Sequence, residues 1–196
     1  ARSRIKEEIM LKEHFRCVPE IIAFSNLYIY NGELKPLRHP HPKGLLKPAL
    51  VPIFIEEGYQ NTNNKANIPE AKAIVEKLVE CLNDSNYQMR PDPDNKGQHL
   101  CTFGVVSLLA EDQAKYIREL ILKDPRIGEK TIEERKIVCG DAYAFQGDER
   151  DVMFLSIVKA LDPNDPEDAV RALTSEGTKQ RFNVAASRAR DQMFLF

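Results

Sequence analysis

The chain has 196 residues, a formal net charge of −2, and 42% hydrophobic against 30% charged residues. That length suits one domain of ordinary size and leaves no room for two large ones, and the composition is that of a soluble globular protein. The near-neutral charge excludes a bulk basic surface for nucleic acid, so any such contact falls to a local patch or to backbone groups. No run of about 18 apolar residues reads as a membrane span.

In chain order, Leu11 to Phe15 reads as a short strand entering a turn. Val18 to Tyr30 follows as a helix, with Pro19 in its first turn, where the missing N–H matters little, and Glu20 placed for the dipole. Asn31-Gly32 closes it, and Lys35 to Pro48 is a proline-rich loop. Ala49 to Ile55 is a buried-strand candidate, and Gly58 to Lys65 is polar. Asn67-Ile68-Pro69-Glu70 has the form of an N-cap with a reciprocal Glu, opening a helix whose apolar face is Ala71, Ile74, Val75, Leu78 and Leu82. Asp84 to Gln98 reads as a polar loop and Thr102 to Leu108 as a strand. Glu111 to Lys123 is an amphipathic helix with Ala114, Ile117, Leu120 and Ile121 inward. Ile137 to Cys139 and Val152 to Val158 read as strands, Asp162 to Gly177 as a polar insertion, Phe182 to Ala189 as a helix and Gln192 to Phe196 as a last strand. This alternation predicts an α/β domain with a mainly parallel sheet and helices on both faces, a form in which ligands sit at the carboxyl ends of the strands.

Cys17, Cys81, Cys101 and Cys139 show no C-x-x-C spacing and read as buried free thiols of a reducing, cytoplasmic compartment. His39 and His41 lie in a proline-rich loop and read as solvated, so no metal site is expected. The nearest string to a phosphate loop is Gly128-Glu129-Lys130-Thr131. It lacks the adjoining Gly-Lys and the upstream Gly that would cradle an anion, and reads as a plain loop.

Three blocks carry the chemistry. Arg181 to Arg190 holds two arginines, Arg188 and Arg190, which on a helix point about 200° apart and so cannot serve one site in the same way. By itself this is equally a surface helix with solvated arginines. Gly140 to Asp151 is a polar turn feeding a buried strand, where Glu149 stands ready to accept hydrogen bonds from a ribose or simply belongs to a charged cap. Leu11 to Ile22 places Phe15 and Arg16 just before a helix, as a candidate site or as a core aromatic beside a surface arginine.

Taken together and in this order, H-F-R-C-x-P-E-I-I-x-F-S-N, F-Q-G-x-E-x-D before an apolar strand, and N-V-A-x-S-R-A-R resemble motifs IV, V and VI of superfamily 1 helicases, closest to the branch of the nonsense-mediated-decay helicase. The resemblance covers nearly the whole chain. It implies a three-layer RecA-like P-loop NTPase fold without its own phosphate loop. The chain is then the second motor domain of a longer enzyme, with an N-terminal RecA-like domain as its partner. It implies ATP bound between the two domains, with Mg2+ held by the first. By the same resemblance Arg188 matches the arginine finger and Arg16 the motif IV arginine, both catalytic. Phe15 matches the aromatic on adenine and Glu149 the ribose carboxylate. Gly147 matches the point of close backbone approach, Gln146 a residue at the domain interface, and Arg190 a support for motif VI. Ser107, Gln113, Asp141 and Tyr143 match positions beside single-stranded DNA or RNA on the opposite side of the domain. Many relatives carry Thr and His where this chain has Asp141 and Tyr143; an Asp repels phosphate, whereas a Tyr stacks on a base. The alternative is a degenerate helicase-like domain that binds a nucleotide or a partner without translocating.

Overall fold

A computed structural model describes residues 12–39, 44–60, 66–92, 97–141, 143–145, 147–161 and 175–196. Its centre is a sheet of five parallel strands: β3 (Leu50–Pro52), β6 (Phe103–Ser107), β7 (Val138–Asp141), β8 (Arg150–Ser156) and β9 (Ala189–Leu195). Their order across the sheet is β3-β9-β8-β6-β7. The central strands are buried on both faces, which is why β8 reads as a continuous apolar run rather than as an alternation.

Strand pleating sends successive side chains to opposite layers. Phe103, Val105, Val152, Phe154 and Phe194 join one core, beneath α2 (Ile68–Asn83) and α3 (Glu111–Lys123). Val106, Met153, Leu155 and Met193 join the other, beneath α1 (Pro19–Tyr28) and α5 (Glu176–Ala186). The result is the expected three-layer α/β architecture of RecA-like type. The four cysteines are all buried and free. Among the described residues no helix is long and apolar enough to cross a membrane.

The structure departs from the sequence pattern in several places, among them a two-residue strand, Lys35–Pro36, where the pattern has a loop. The Ala49–Ile55 strand shrinks to Leu50–Pro52, ending at a proline that has no N–H for the ladder. The Asp84–Gln98 loop contains a 3-10 turn (Ser85–Tyr87) and an antiparallel hairpin, β4 (Met89–Pro91) with β5 (Gln98–Leu100). The partners that order it are distant: Arg90 Nη2 donates to Asp191 Oδ2 at 2.8 Å, and Arg135 Nη1 donates to the carbonyls of Tyr87 and Gln88 at 2.9 Å each. Gly128 begins no loop but the short helix α4 (Glu129–Glu134). The last helix lies earlier than its pattern, starting where Ser175 accepts from Thr178 N and ending at Ala186. Of the Asp162–Gly177 insertion, Glu176 and Gly177 therefore belong to α5, and 162–174 lie outside the described residues. Finally, the Asn67 cap forms, with Glu70 N donating to it at 3.1 Å, but the Glu70 carboxylate accepts from Asn67 Nδ2 at 3.3 Å rather than from the Asn67 backbone N–H. Gln113 Oε1 takes the Asn67 N–H at 2.8 Å, and the Glu70 carboxylate turns to Ser156 and to Val158 N.

The remaining pair, β1 (Glu13–His14) with β2 (Lys35–Pro36), is a short parallel strap beside α1.

Candidate functional site

Three chain segments meet at the amino ends of β8 and β9. The first is the turn before α1. Cys17 N donates to His14 Nε2 at 3.1 Å, and Val18 N donates to the Arg190 carbonyl at 3.0 Å, so Arg16 is fastened against β9 while Phe15 stands 65% exposed beside it. The second is the turn into β8. Gly147 has φ +82°, a left-handed conformation that suits a residue without Cβ, and it delivers Asp148 and Glu149 to the rim. The third is the junction of α5 and β9, where Ser187 and Arg188 make the turn between helix and strand.

That junction corrects the reading of the two arginines. They do not share a helix, so the 200° argument fails. Arg188 lies in the turn and Arg190 in the strand, and both approach the same carboxylate-bearing loop. The pairing there is irregular: Arg150 opposes Ala189 and Val152 opposes Gln192, so Arg190 and Asp191 together face the single Asp151. An extra residue of this kind re-aims side chains at a strand end. Arg190 turns towards Glu149 and Asp151, and Asp191 turns the other way to Arg38 and Arg90.

The structure thus brings Arg16, Glu149, Arg188 and Arg190 together. Arg16 Nε donates to Glu149 Oε2, and its Nη1 donates to the Ser187 carbonyl at 3.2 Å. Arg190 Nε lies 3.5 Å from Glu149 Oε1. Among the described residues Arg188 has one long bond, Nη1 to the Asp148 carbonyl at 3.5 Å, and its buried Nε meets no hydrogen-bond partner. Burial, and then the charge of Arg16, pull the Arg188 guanidinium below its ordinary pKa, though an arginine stays cationic. Unpaired N–H groups on a crowded cation favour the arrival of an anion with planar, paired acceptors. The residues at this rim therefore fit a nucleotide phosphate. Gln146 lies outside the described residues.

The opposite edge holds the other four candidates, and it does not present them equally. Ser107 is 2% exposed and donates to the Ala110 carbonyl at 2.6 Å. Gln113 is wholly buried, with its amide split between the N–H and carbonyl of Asn67. Asp141 accepts from Tyr143 N at 3.0 Å and Ala144 N at 2.9 Å, which shapes the turn and leaves Tyr143 71% exposed. Gly140 fits under that turn because a Cβ there would sit 2.4 Å from Ala144 Cβ. Ser107, Asp141, Tyr143 and Arg181 line one groove of about 180 Å³. Arg181 was not singled out by sequence, because only the tertiary packing, with α5 against α1 and β9, carries it to this groove. The two sets therefore lie at opposite ends of the strands, and the expectation that ligands gather at the carboxyl ends holds at most for the second set.

A cation-rich rim at one end of a parallel sheet, with an exposed tyrosine beside a groove at the other, sits on an α/β domain of RecA-like type. Comparison with known proteins agrees at the level of the family. The model of the AAA domain family matches residues 2–196, and the chain belongs to this family, the C-terminal domain family of superfamily 1 helicases. It is 27% identical over 206 residues to an uncharacterized ATP-dependent helicase of Mycoplasma pneumoniae, the MG140 homolog, covering 100% of this chain and 16% of the relative. It is 24% identical over 192 residues to the mouse 5′-3′ DNA helicase ZGRF1, covering 95% of this chain and 9% of the relative. The chain thus spans a sixth or less of the length of these relatives. By family it is a helicase-like domain.

Proposed function

We propose that residues 1–196 are the second RecA-like motor domain of a longer intracellular helicase or translocase of the nonsense-mediated-decay-like branch, acting on single-stranded DNA or RNA. The observation that carries this reading is the convergence of Arg16, Glu149, Arg188 and Arg190 from three motif segments. In it, ATP supplies the phosphoryl group, and Mg2+ is held by the N-terminal RecA-like domain, the partner that closes the cleft.

The residues of this chain bind and orient. Arg188 offers its unpaired N–H groups to charge developing on the transferred phosphoryl oxygens, a contribution worth roughly 10³–10⁵ in rate in other phosphoryl-transfer enzymes. Arg16 gives a second cation when it exchanges Glu149 for the phosphate, which frees one oxygen of Glu149 for the ribose. Phe15 covers the base, and Arg190 holds the loop. At the far edge Tyr143 stacks on a base of the strand, and Asp141 acts by shaping the turn rather than by meeting phosphate. The buried Ser107 and Gln113 brace that edge, and Ser107 also lines the groove.

The test is strand-stimulated ATPase of the full-length protein beside its Arg188→Ala variant. Turnover in the wild type and its loss in a folded variant is the expected result. A silent wild type with both DNA and RNA, or near-normal turnover in Arg188→Ala, overturns the reading.

A further inference from the structure

Asp151 is wholly buried, and its two oxygens are treated unequally. Oδ2 accepts from His99 Nε2 at 2.8 Å, from Thr102 N at 2.9 Å and from Thr102 Oγ1 at 2.8 Å. Among the described residues Oδ1 accepts no hydrogen bond, and it lies 3.7 Å from Arg190 Nη1. Three donors from one side fix the rotation of the carboxylate and aim the free oxygen at the guanidinium. Burial by itself raises the Asp151 pKa, but the bonds from His99 and Thr102 outweigh it and hold the group below its ordinary value.

The ladder continues to the rim. Arg190 is nine-tenths buried, its Nε lies 3.5 Å from Glu149 Oε1, and the other oxygen of Glu149 carries Arg16. Charges alternate along Asp151, Arg190, Glu149 and Arg16, and Arg190 is held between the two carboxylates by charge at 3.7 Å and 3.5 Å, so a shift of Asp151 is felt at Glu149. Thr102 enters the sheet directly, whereas His99 comes from the β4–β5 hairpin, a separate piece of chain. The hairpin is itself anchored, by Arg90 on Asp191 and Arg135 on the Gln88 carbonyl. His99, Glu149 and Arg190 line one groove of about 420 Å³.

We propose that His99 is a positioning residue for the nucleotide rim, acting through Asp151 and Arg190 to set the carboxylate of Glu149. This rests on the proposed function. It makes the hairpin, which belongs to none of the three motif blocks, a part of the nucleotide-binding apparatus.

The experiment compares wild type, His99→Ala and His99→Gln in the full-length enzyme, with steady-state ATPase at saturating strand and thermal unfolding. In His99→Ala the KM for ATP rises about tenfold while kcat stays within about twofold, the scale of losing one charge-assisted bond. His99→Gln, which keeps an N–H donor, restores KM to within about threefold. An unchanged KM in His99→Ala, or a fall in kcat that merely tracks a lower melting temperature, overturns the proposal. A second readout needs no turnover: the Nε–Hε NMR signals of Arg190 and Arg16 in the full-length enzyme shift in His99→Ala, and unmoved signals overturn the linkage. Shifted signals in an enzyme whose wild type neither binds nor hydrolyses ATP defeat the proposed function while leaving the linkage standing.

Discussion

At the amino ends of β8 and β9, the buried Asp151 is held below its ordinary pKa, because bonds from His99 and Thr102 outweigh its burial. At the carboxyl end of β8, the buried Glu70 is pushed up, because burial outweighs the bonds from Ser156, Val158 and Gln113. The first end is rich in cations with unpaired N–H groups; the second is a closed network of neutral donors. One end is poised for an anion, and the other is built to hold backbone. The clearest sign of the latter is Val158, a β-branched residue at φ +71°, whose N–H lies 3.1 Å from Glu70 and whose carbonyl accepts from Asn67 Nδ2 at 3.3 Å.

Arg188→Ala gives the largest effect. It lowers ATP turnover by about 10³ or more while strand affinity, measured by fluorescence anisotropy, stays within about threefold. Equal losses in both would dissolve the division between the two ends. Glu70→Ala comes next. It strands the Val158 N–H and the Ser156 hydroxyl and costs about 2–3 kcal/mol, lowering Tm by about 5–10 °C. A variant as stable as wild type would show that the strained Val158 needs no clamp.

Tyr143→Ala reverses the Arg188 pattern. Strand affinity falls about tenfold, the worth of one base stack, while strand-independent turnover is kept. Unchanged affinity would remove Tyr143 from the strand path. The smallest effects separate the carboxylates by pH. Glu70 has a raised folded pKa, so its contribution is fully present below the ordinary carboxylate range and is lost as pH rises through the raised value. Asp151 has a lowered folded pKa, so its contribution is present above the ordinary range and is lost as pH falls through the lowered value. Urea midpoints taken from about pH 3 to pH 8 check this: Glu70→Gln removes a decline towards neutral pH, and Asp151→Asn removes a loss on the acid side. Slopes of the same sign at both sites would break the contrast.

Much of this was legible in the chain. The helix Glu111–Lys123 has the bounds that its apolar spacing gives, and the apolar run at Val152–Ser156 is a central parallel strand because both its faces are buried. Periodicity reports which face of an element meets the core, so it speaks wherever the core decides. Composition likewise gave four buried free cysteines. The motif blocks named Arg16, Glu149, Arg188 and Arg190, but a helical reading of Arg188 and Arg190 set them apart. The end of α5 at Ala186 puts Arg188 in a turn, and the β8–β9 pairing, with two residues opposing Asp151, turns Arg190 to the same rim.

The hairpin at Met89–Leu100 and the role of Arg181 had no local signal at all. Their order comes from ion pairs and packing across the fold, such as Arg90 with Asp191 101 residues away. The sequence by itself determined the layers and the residue types at each rim, because hydrophobic burial and charge are properties of single residues and their spacing. The tertiary structure decided which polar groups are satisfied and which are left open, because a hydrogen bond depends on where two distant side chains end.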